Sequence, residues 1–152
     1  MTTTETFPTI SYSTKETAAL IRKALRAAFP GVKMSVTMSR GTGYGYMDIS
    51  YTDGPTTAAV DAVTRRFRSE SFDGMTDSTN TIPPTLYLVD GVPTLLAYSC
   101  RGASPSRHFS AEALAAAEVA VAADPGRYAN SYDHDGSTYY ACRKYLSQTD
   151  LS

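Results

Sequence analysis

The sequence predicts an α+β domain whose elements run α-β-β-α-β-β-α, with one four-stranded, mainly antiparallel sheet, helices packed on one face, and a Tyr-rich C-terminal tail. Three observations predict it. Ser13-Thr-Lys-Glu16 reads as a capping box ahead of apolar residues at the helical period. Met34 to Met38 and Tyr46 to Tyr51 alternate strictly on either side of a glycine-rich loop. Two further apolar runs bracket Asp90-Gly91, a two-residue hairpin signal.

The elements follow in order. Residues 1–10 are Thr-rich with Pro8 and read as a loose arm, with an extended stretch at Thr9 to Tyr12. In helix one, Thr17, Ile21, Ala24, Leu25 and Ala28 share a face, and Pro30-Gly31 ends the helix near Phe29. Gly41-Thr-Gly-Tyr-Gly45 then joins two strands as a hairpin loop. Asp53-Gly54-Pro55 opens the second helix, because proline suits a first helical turn. Ala59, Val60, Val63 and Phe67 form its core face, and Arg65, Arg66 and Arg68 crowd its last turn, where the helix dipole favours cations. Ser69 to Pro84 is polar and turn-like. Thr85 to Val89 and Val92 to Tyr98 make the second hairpin. Ser110 caps a third helix, Ala111 to Ala123, stopped by Asp124-Pro-Gly126. Its near-absence of polar residues predicts burial or tight packing against the sheet. The tail holds Tyr128, Tyr132, Tyr139, Tyr140 and Tyr145, and Tyr139 to Leu146 reads as a short helix or strand.

At 152 residues the chain is one domain, 1–152. Hydrophobic residues make up 42%, too many for a disordered chain. Fourteen basic against fifteen acidic residues give a net charge of -1, which excludes both a general polyanion binder and an acidic nucleic-acid mimic. No apolar run approaches the ~20 residues that span a bilayer, and MTTTETFPTI lacks the basic start and apolar centre of a signal peptide. The expectation is therefore a cytoplasmic protein with no membrane partner. Cys100 and Cys142 form no CxxC pair, and with His108 and His134 they make a poor ligand count for zinc. Reduced thiols, no metal and no cofactor are expected.

Three stretches carry a family resemblance. They are Ser13-Thr-Lys-Glu-Thr-Ala-Ala-Leu-Ile-Arg-Lys-Ala-Leu-Arg-Ala-Ala-Phe-Pro-Gly-Val-Lys-Met-Ser-Val36, Ile49-Ser-Tyr-Thr-Asp-Gly-Pro55 and Phe72-Asp-Gly-Met-Thr-Asp77. In this order they resemble the large polyvalent protein-associated domain, family 29, over residues 9–77, with a weaker likeness reaching Arg107-His-Phe-Ser110. The resemblance implies a module of phages and conjugative elements, embedded in very large proteins or standing alone. It further implies a role in establishing the element in its host, counter-defence included. It supplies no catalytic residues.

Several residues are candidates for a site. Lys15, Arg22 and Arg26 share the outer face of helix one, with Lys23 beside them, and the same half of the chain offers Lys33, Arg40, Arg65, Arg66 and Arg68. Residues 1–73 carry nine basic and seven acidic groups, residues 74–152 five and eight, so any basic surface is local. The ordinary reading is a solvated helix face; the sharper one is a phosphate-binding patch. The glycine loop joins two strands, so it is no nucleotide fingerprint, but Tyr44 and Tyr46 can stack on bases or on a partner. Asp73, Gly74 and Asp77, with Glu70 upstream, could hold a cation or act as acid and base; Asp-Gly favours a plain turn. Asp133-His-Asp-Gly136 fails as a calcium loop because its twelfth position is Lys144. No nucleophile elbow supports a Ser/His/Asp triad. The tail tyrosines suit a protein interface or packing across the sheet's open face.

These readings converge on a non-enzymatic accessory protein of a phage or other mobile element, acting by macromolecular binding to a host or phage protein. The alternative is a nucleic-acid-binding module that uses the basic helix face and the Tyr/Gly loop. Nothing in the sequence sets the oligomeric state.

Overall fold

A computed structural model of the chain describes residues 5–133 and 136–152. Residues 1–4 of the expected arm, and His134 and Asp135, lie outside the described residues. The fold is α+β. It runs β1 (Thr9–Ser11), α1 (Thr14–Ala28), β2 (Met34–Met38), β3 (Tyr46–Thr52), α2 (Thr57–Thr64), β4 (Glu70–Asp73), β5 (Ser78–Thr81), β6 (Thr85–Val89), β7 (Val92–Ala97) and β8 (Gly102–His108). Three helices close it: α3 (Ala111–Ala123), α4 (Pro125–Tyr128) and α5 (Tyr139–Gln148).

Local chemistry explains the helix starts. The Ser13 hydroxyl accepts from the Glu16 N–H at 3.3 Å, and a Glu16 carboxylate oxygen accepts from the Ser13 N–H at 2.8 Å. The Ser13 hydroxyl, which also donates to that carboxylate at 2.7 Å, and the Ser13 N–H together hold the Glu16 carboxyl below its ordinary pKa. The second helix begins two residues later than Pro55 predicts. Asp53 and Gly54 take φ of 56° and 64°, which turns the chain before Thr56 caps Ala59.

The single four-stranded sheet is not what forms. The strands divide into β1-β7-β6, β2-β3-β8 and a two-stranded β4-β5. Three of the added strands are polar. β8, Gly-Ala-Ser-Pro-Ser-Arg-His, lies parallel to β3 at a sheet edge, where Pro105 costs no ladder bond. β4 and β5 are mostly Ser, Thr and Asn and enclose the turn expected around Gly74. Both predicted hairpins, β2-β3 and β6-β7, are present.

The main core joins Ile21 and Leu25 of α1, Met47, Ile49 and Tyr51 of β3, Val60 of α2, and Phe67. α1 buries Thr17, Ile21 and Leu25 as its period predicts, while Ala28 stays exposed. A second core joins Ala113, Ala117 and Val121 of α3 to Tyr128, Ala141, Cys142 and Leu146. The expected burial of α3 against the sheet does not occur. Only its narrow alanine stripe is covered, by α5, and Leu114 and Val119 stay 41% and 72% exposed. The tail likewise packs on α3 rather than across a sheet. Tyr139 to Gln148 is helical, and Tyr128 meets Tyr145 edge-on at 5.4 Å. Asp133 caps α5 by accepting from the N–H groups of Tyr140 and Ala141.

Arg107 ties the two cores together. Its guanidinium donates to four carbonyls: Asp53 at 2.9 Å, and Gly54, Leu146 and Thr149 at 2.7 Å each. The Asp53 carboxylate also accepts from the Ser110 N–H that leads into α3, at 2.8 Å. Cys100 and Cys142 are free thiols, one in each core. Among the described residues no helix is long and apolar enough to cross a membrane.

Candidate binding groove

The C-terminus of α2 tightens into a 3-10 turn, Arg65–Phe67. Phe67 is buried and packs edge-on against Tyr98 with ring centroids 5.0 Å apart. That anchor turns Arg65 and Arg66 out to solvent. Arg68 follows in extended backbone, half-buried, and its guanidinium pairs with the Asp61 carboxylate. Arg65 reaches the same carboxylate at 3.5 Å, one helical turn on. The Arg68 Nε is buried without a partner among the described residues.

A fourth arginine arrives from the segment between β7 and β8. Arg101 donates from Nε to Glu70 at 3.0 Å, and its guanidinium lies 4.8 Å from the Tyr46 ring centroid. The Glu70 bond raises the Arg101 pKa further, so this cation is permanent. Two glycines allow the arrangement. Gly45, at φ 94°, accepts the Arg101 N–H, and a Cβ there would sit 2.8 Å from the Arg101 side chain. Gly102 lies under the Tyr46 ring, whose carbons would stand 3.2 Å from a Cβ at that position.

Tyr46, Arg65, Arg68, Glu70, Phe72 and Arg101 line a hollow of about 590 Å³. A neighbouring hollow of about 420 Å³ shares Arg65 and Arg68 and adds Arg66 and Tyr98. A third, about 460 Å³, shares Arg66 and Tyr98 and adds Lys23, Tyr12 and Tyr87. Shared arginines make the three hollows neighbours around the 3-10 turn, a broken groove with five cations and Glu70 among its lining residues and Asp61 behind them.

The family model described as large polyvalent protein associated domain 29 matches residues 12–110. The chain belongs to that family. No curated protein and no solved structure matches it. The residues lining the first hollow, from Tyr46 to Ser104, all lie within the polyvalent-protein-associated domain, whereas α3, α4 and α5 lie beyond the matched region. Membership fits an accessory protein of a phage or other mobile element.

The structure brings Lys23, Tyr46, Arg65, Arg66 and Arg68 of this domain to the groove. It places Arg22 and Arg26 elsewhere, with Lys33 around a cleft of about 270 Å³ beside β2. Lys15 stands exposed in the first turn of α1, and Arg40 and Tyr44 stand exposed on the β2-β3 loop; none of the three lines the groove. The Asp73–Asp77 loop is a turn held by its own residues. Asp73 accepts from the Met75 N–H and the Thr76 hydroxyl, both at 2.9 Å, which holds its carboxyl below the ordinary range. Asp77 adopts a φ of 50° beside it. Among the described residues no three His, Cys, Asp or Glu side chains are grouped to hold a metal ion.

Sequence reasoning missed Arg101 and Phe72 as groove residues. Arg101 carries no local signal, because its partners come from β3 and β4. Phe72 was legible only as part of the family string. Arg22 also differs from a free outer-face cation. Its Nη2 donates to the Val36 carbonyl at 2.7 Å, closing over the β2 edge. Arg22→Ala is therefore expected to cost about 1 kcal/mol in urea unfolding and Arg26→Ala close to nothing. Equal, negligible effects would show that the Val36 bond contributes no stability.

Proposed function

We propose that this chain is a non-enzymatic accessory protein of a phage or other mobile element, acting in the bacterial cytoplasm by binding a host or phage protein through the arginine–aromatic groove. Family membership supports the mobile-element setting. One observation supports a protein ligand: three of the groove's arginines, Arg65, Arg68 and Arg101, already meet carboxylates, beside exposed Tyr46 and Phe72. Tyr and Arg in desolvated pockets are the residue types that dominate protein interfaces. A phosphate backbone would have to displace Asp61 and Glu70 or face their charge. Counter-defence is the finer role that this setting suggests.

A nucleic-acid ligand remains the second reading, favoured by the exposure of Arg65 and Arg66 next to an exposed tyrosine. The two readings separate on one pair of experiments. The tagged full chain is mixed with lysate of a host carrying the element, and retention is compared with Tyr46→Ala plus Arg101→Ala. The expected result is a saturable protein partner whose retention falls at least tenfold in the variant, consistent with about 2 kcal/mol or more for interface anchors. Equal retention removes the groove from the proposal. Titration with single- and double-stranded DNA at two salt concentrations should show no binding. Affinity that falls steeply with salt would put the nucleic-acid reading first.

A further inference from the structure

We propose that β6 is a self-pairing edge, through which two copies of this chain join their β1-β7-β6 sheets into one six-stranded sheet. The proposal does not rest on the groove's ligand, although Tyr87 and Leu88 also line the third hollow. β6 is an outer strand of its sheet and, among the described residues, its free edge has no partner. Leu86, Tyr87 and Leu88 are 48%, 39% and 75% exposed. No charged residue occurs between Asp77 and Asp90, so the edge lacks the lysine or inward charge that usually blocks strand addition. Pro83 and Pro84 end the strand on one side, leaving a short open ladder.

The hydrogen-bond parity of this edge is self-complementary. Val89 and Val92 flank the two-residue turn and pair with each other, so Val89, Tyr87 and Thr85 direct their N–H and C=O toward β7. Leu86 and Leu88 direct theirs outward. Two facts of β7 agree with this parity. Pro93, which has no N–H to give, stands opposite Leu88. Leu95 donates its N–H away from β6, to the Pro8 carbonyl at 2.8 Å.

Leu86-Tyr87-Leu88 reads the same from either end. An antiparallel two-fold axis at Tyr87 sets Leu86 of one copy opposite Leu88 of the other, and both carry outward groups. Each Leu pair exchanges two ladder bonds, and Tyr87 faces Tyr87 as a non-bonded pair with its side chains close. The same patch serves both copies, so the contact closes as a dimer and does not propagate. Each Asp90 lies about 20 Å from its symmetry mate, at roughly 3.4 Å per residue, beyond effective repulsion in salt. Leu pairs cover one face, and Tyr87 lies on the face that looks toward α1. Two five-residue strands bury less than the ~1,000 Å² of a lasting interface. The dimer is therefore weak and forms only at high protein concentration.

Sedimentation of the full chain from about 10 µM to 1 mM should show the apparent mass rising toward double with concentration. Leu88→Lys should cut the dimer fraction at least tenfold. Tyr87→Cys should cross-link to itself under a mild oxidant, because non-bonded antiparallel pairs fall within disulfide reach. Leu86→Cys should not, since its symmetry mate is diagonal. Cys100 and Cys142 are buried and leave this readout clean. A monomer at every concentration, or cross-linking at 86 no slower than at 87, overturns the proposal. If Leu88→Lys loses its circular dichroism signal, the cysteine pair decides alone.

Discussion

Arg107→Ala is expected to destabilise the fold by about 3 kcal/mol, through loss of a half-buried cation that several carbonyls share. The four acceptors come from two segments far apart in the chain: Asp53 and Gly54 after β3, and Leu146 and Thr149 at the end of α5. Burial itself disfavours the charge and lowers the Arg107 pKa, so the carbonyls must compensate for lost water. Removing the guanidinium leaves those oxygens facing one another. Arg107→Lys keeps the charge but not the planar fork, and should recover less than half of the loss. Urea unfolding measures both. A loss under about 0.5 kcal/mol for the alanine variant would show that the clamp is incidental to stability. Proteolysis of Arg107→Ala should cut first between β8 and α5, because without this residue the second core is tied to the first mainly by the Asp53–Ser110 bond and the Gly54–Leu151 bridge.

Ile49→Ala is expected to cost about 3–4 kcal/mol, the range of large-to-small changes in a closed core. Ile49 is fully buried at the middle of β3, the only strand of its sheet with neighbours on both sides. It pairs with Val36 on β2 and with Pro105 on β8. Neither neighbour can slide to fill the void without breaking a ladder. Ile49→Val should cost about 1 kcal/mol. A valine variant as damaged as the alanine variant would point to strand propensity or packing shape rather than to cavity volume.

What was legible in the sequence was local. The capping box at Ser13 and Glu16 and the Asp90-Gly91 turn act over three or four residues, so their chemistry appears in consecutive letters. β8 was hidden because its pairing is parallel and distant, and because Ser, Pro and Arg at an edge need no apolar alternation. β4 and β5 were hidden for a related reason: a two-stranded polar hairpin buries almost nothing and so has no hydrophobic period to read. In the groove, Arg65, Arg66 and Arg68 were visible as a cluster, but Arg101 was not. Its place depends on Glu70, 31 positions away, and on the Tyr46 ring. Arg22 reads from sequence as an outer-face cation of α1, and its bond to Val36 arises only once α1 packs on β2.

The parallel pairing of β3 with β8 has a consequence for how the chain comes off the ribosome. Ser106 bonds Asp48 across 58 positions of sequence. At roughly 5–20 residues per second, β3 is exposed for about 3–12 s before its second neighbour has been made. During that interval β2-β3 is a bare hairpin with Met47, Ile49 and Tyr51 on one side, an arrangement too small to hold together alone. The local hairpins and α1 can sample their folded shapes within microseconds of emergence, but the main sheet has to wait for translation to reach residue 108. Synthesis speed, rather than any step of the finished chain, sets the earliest moment at which this protein can be native.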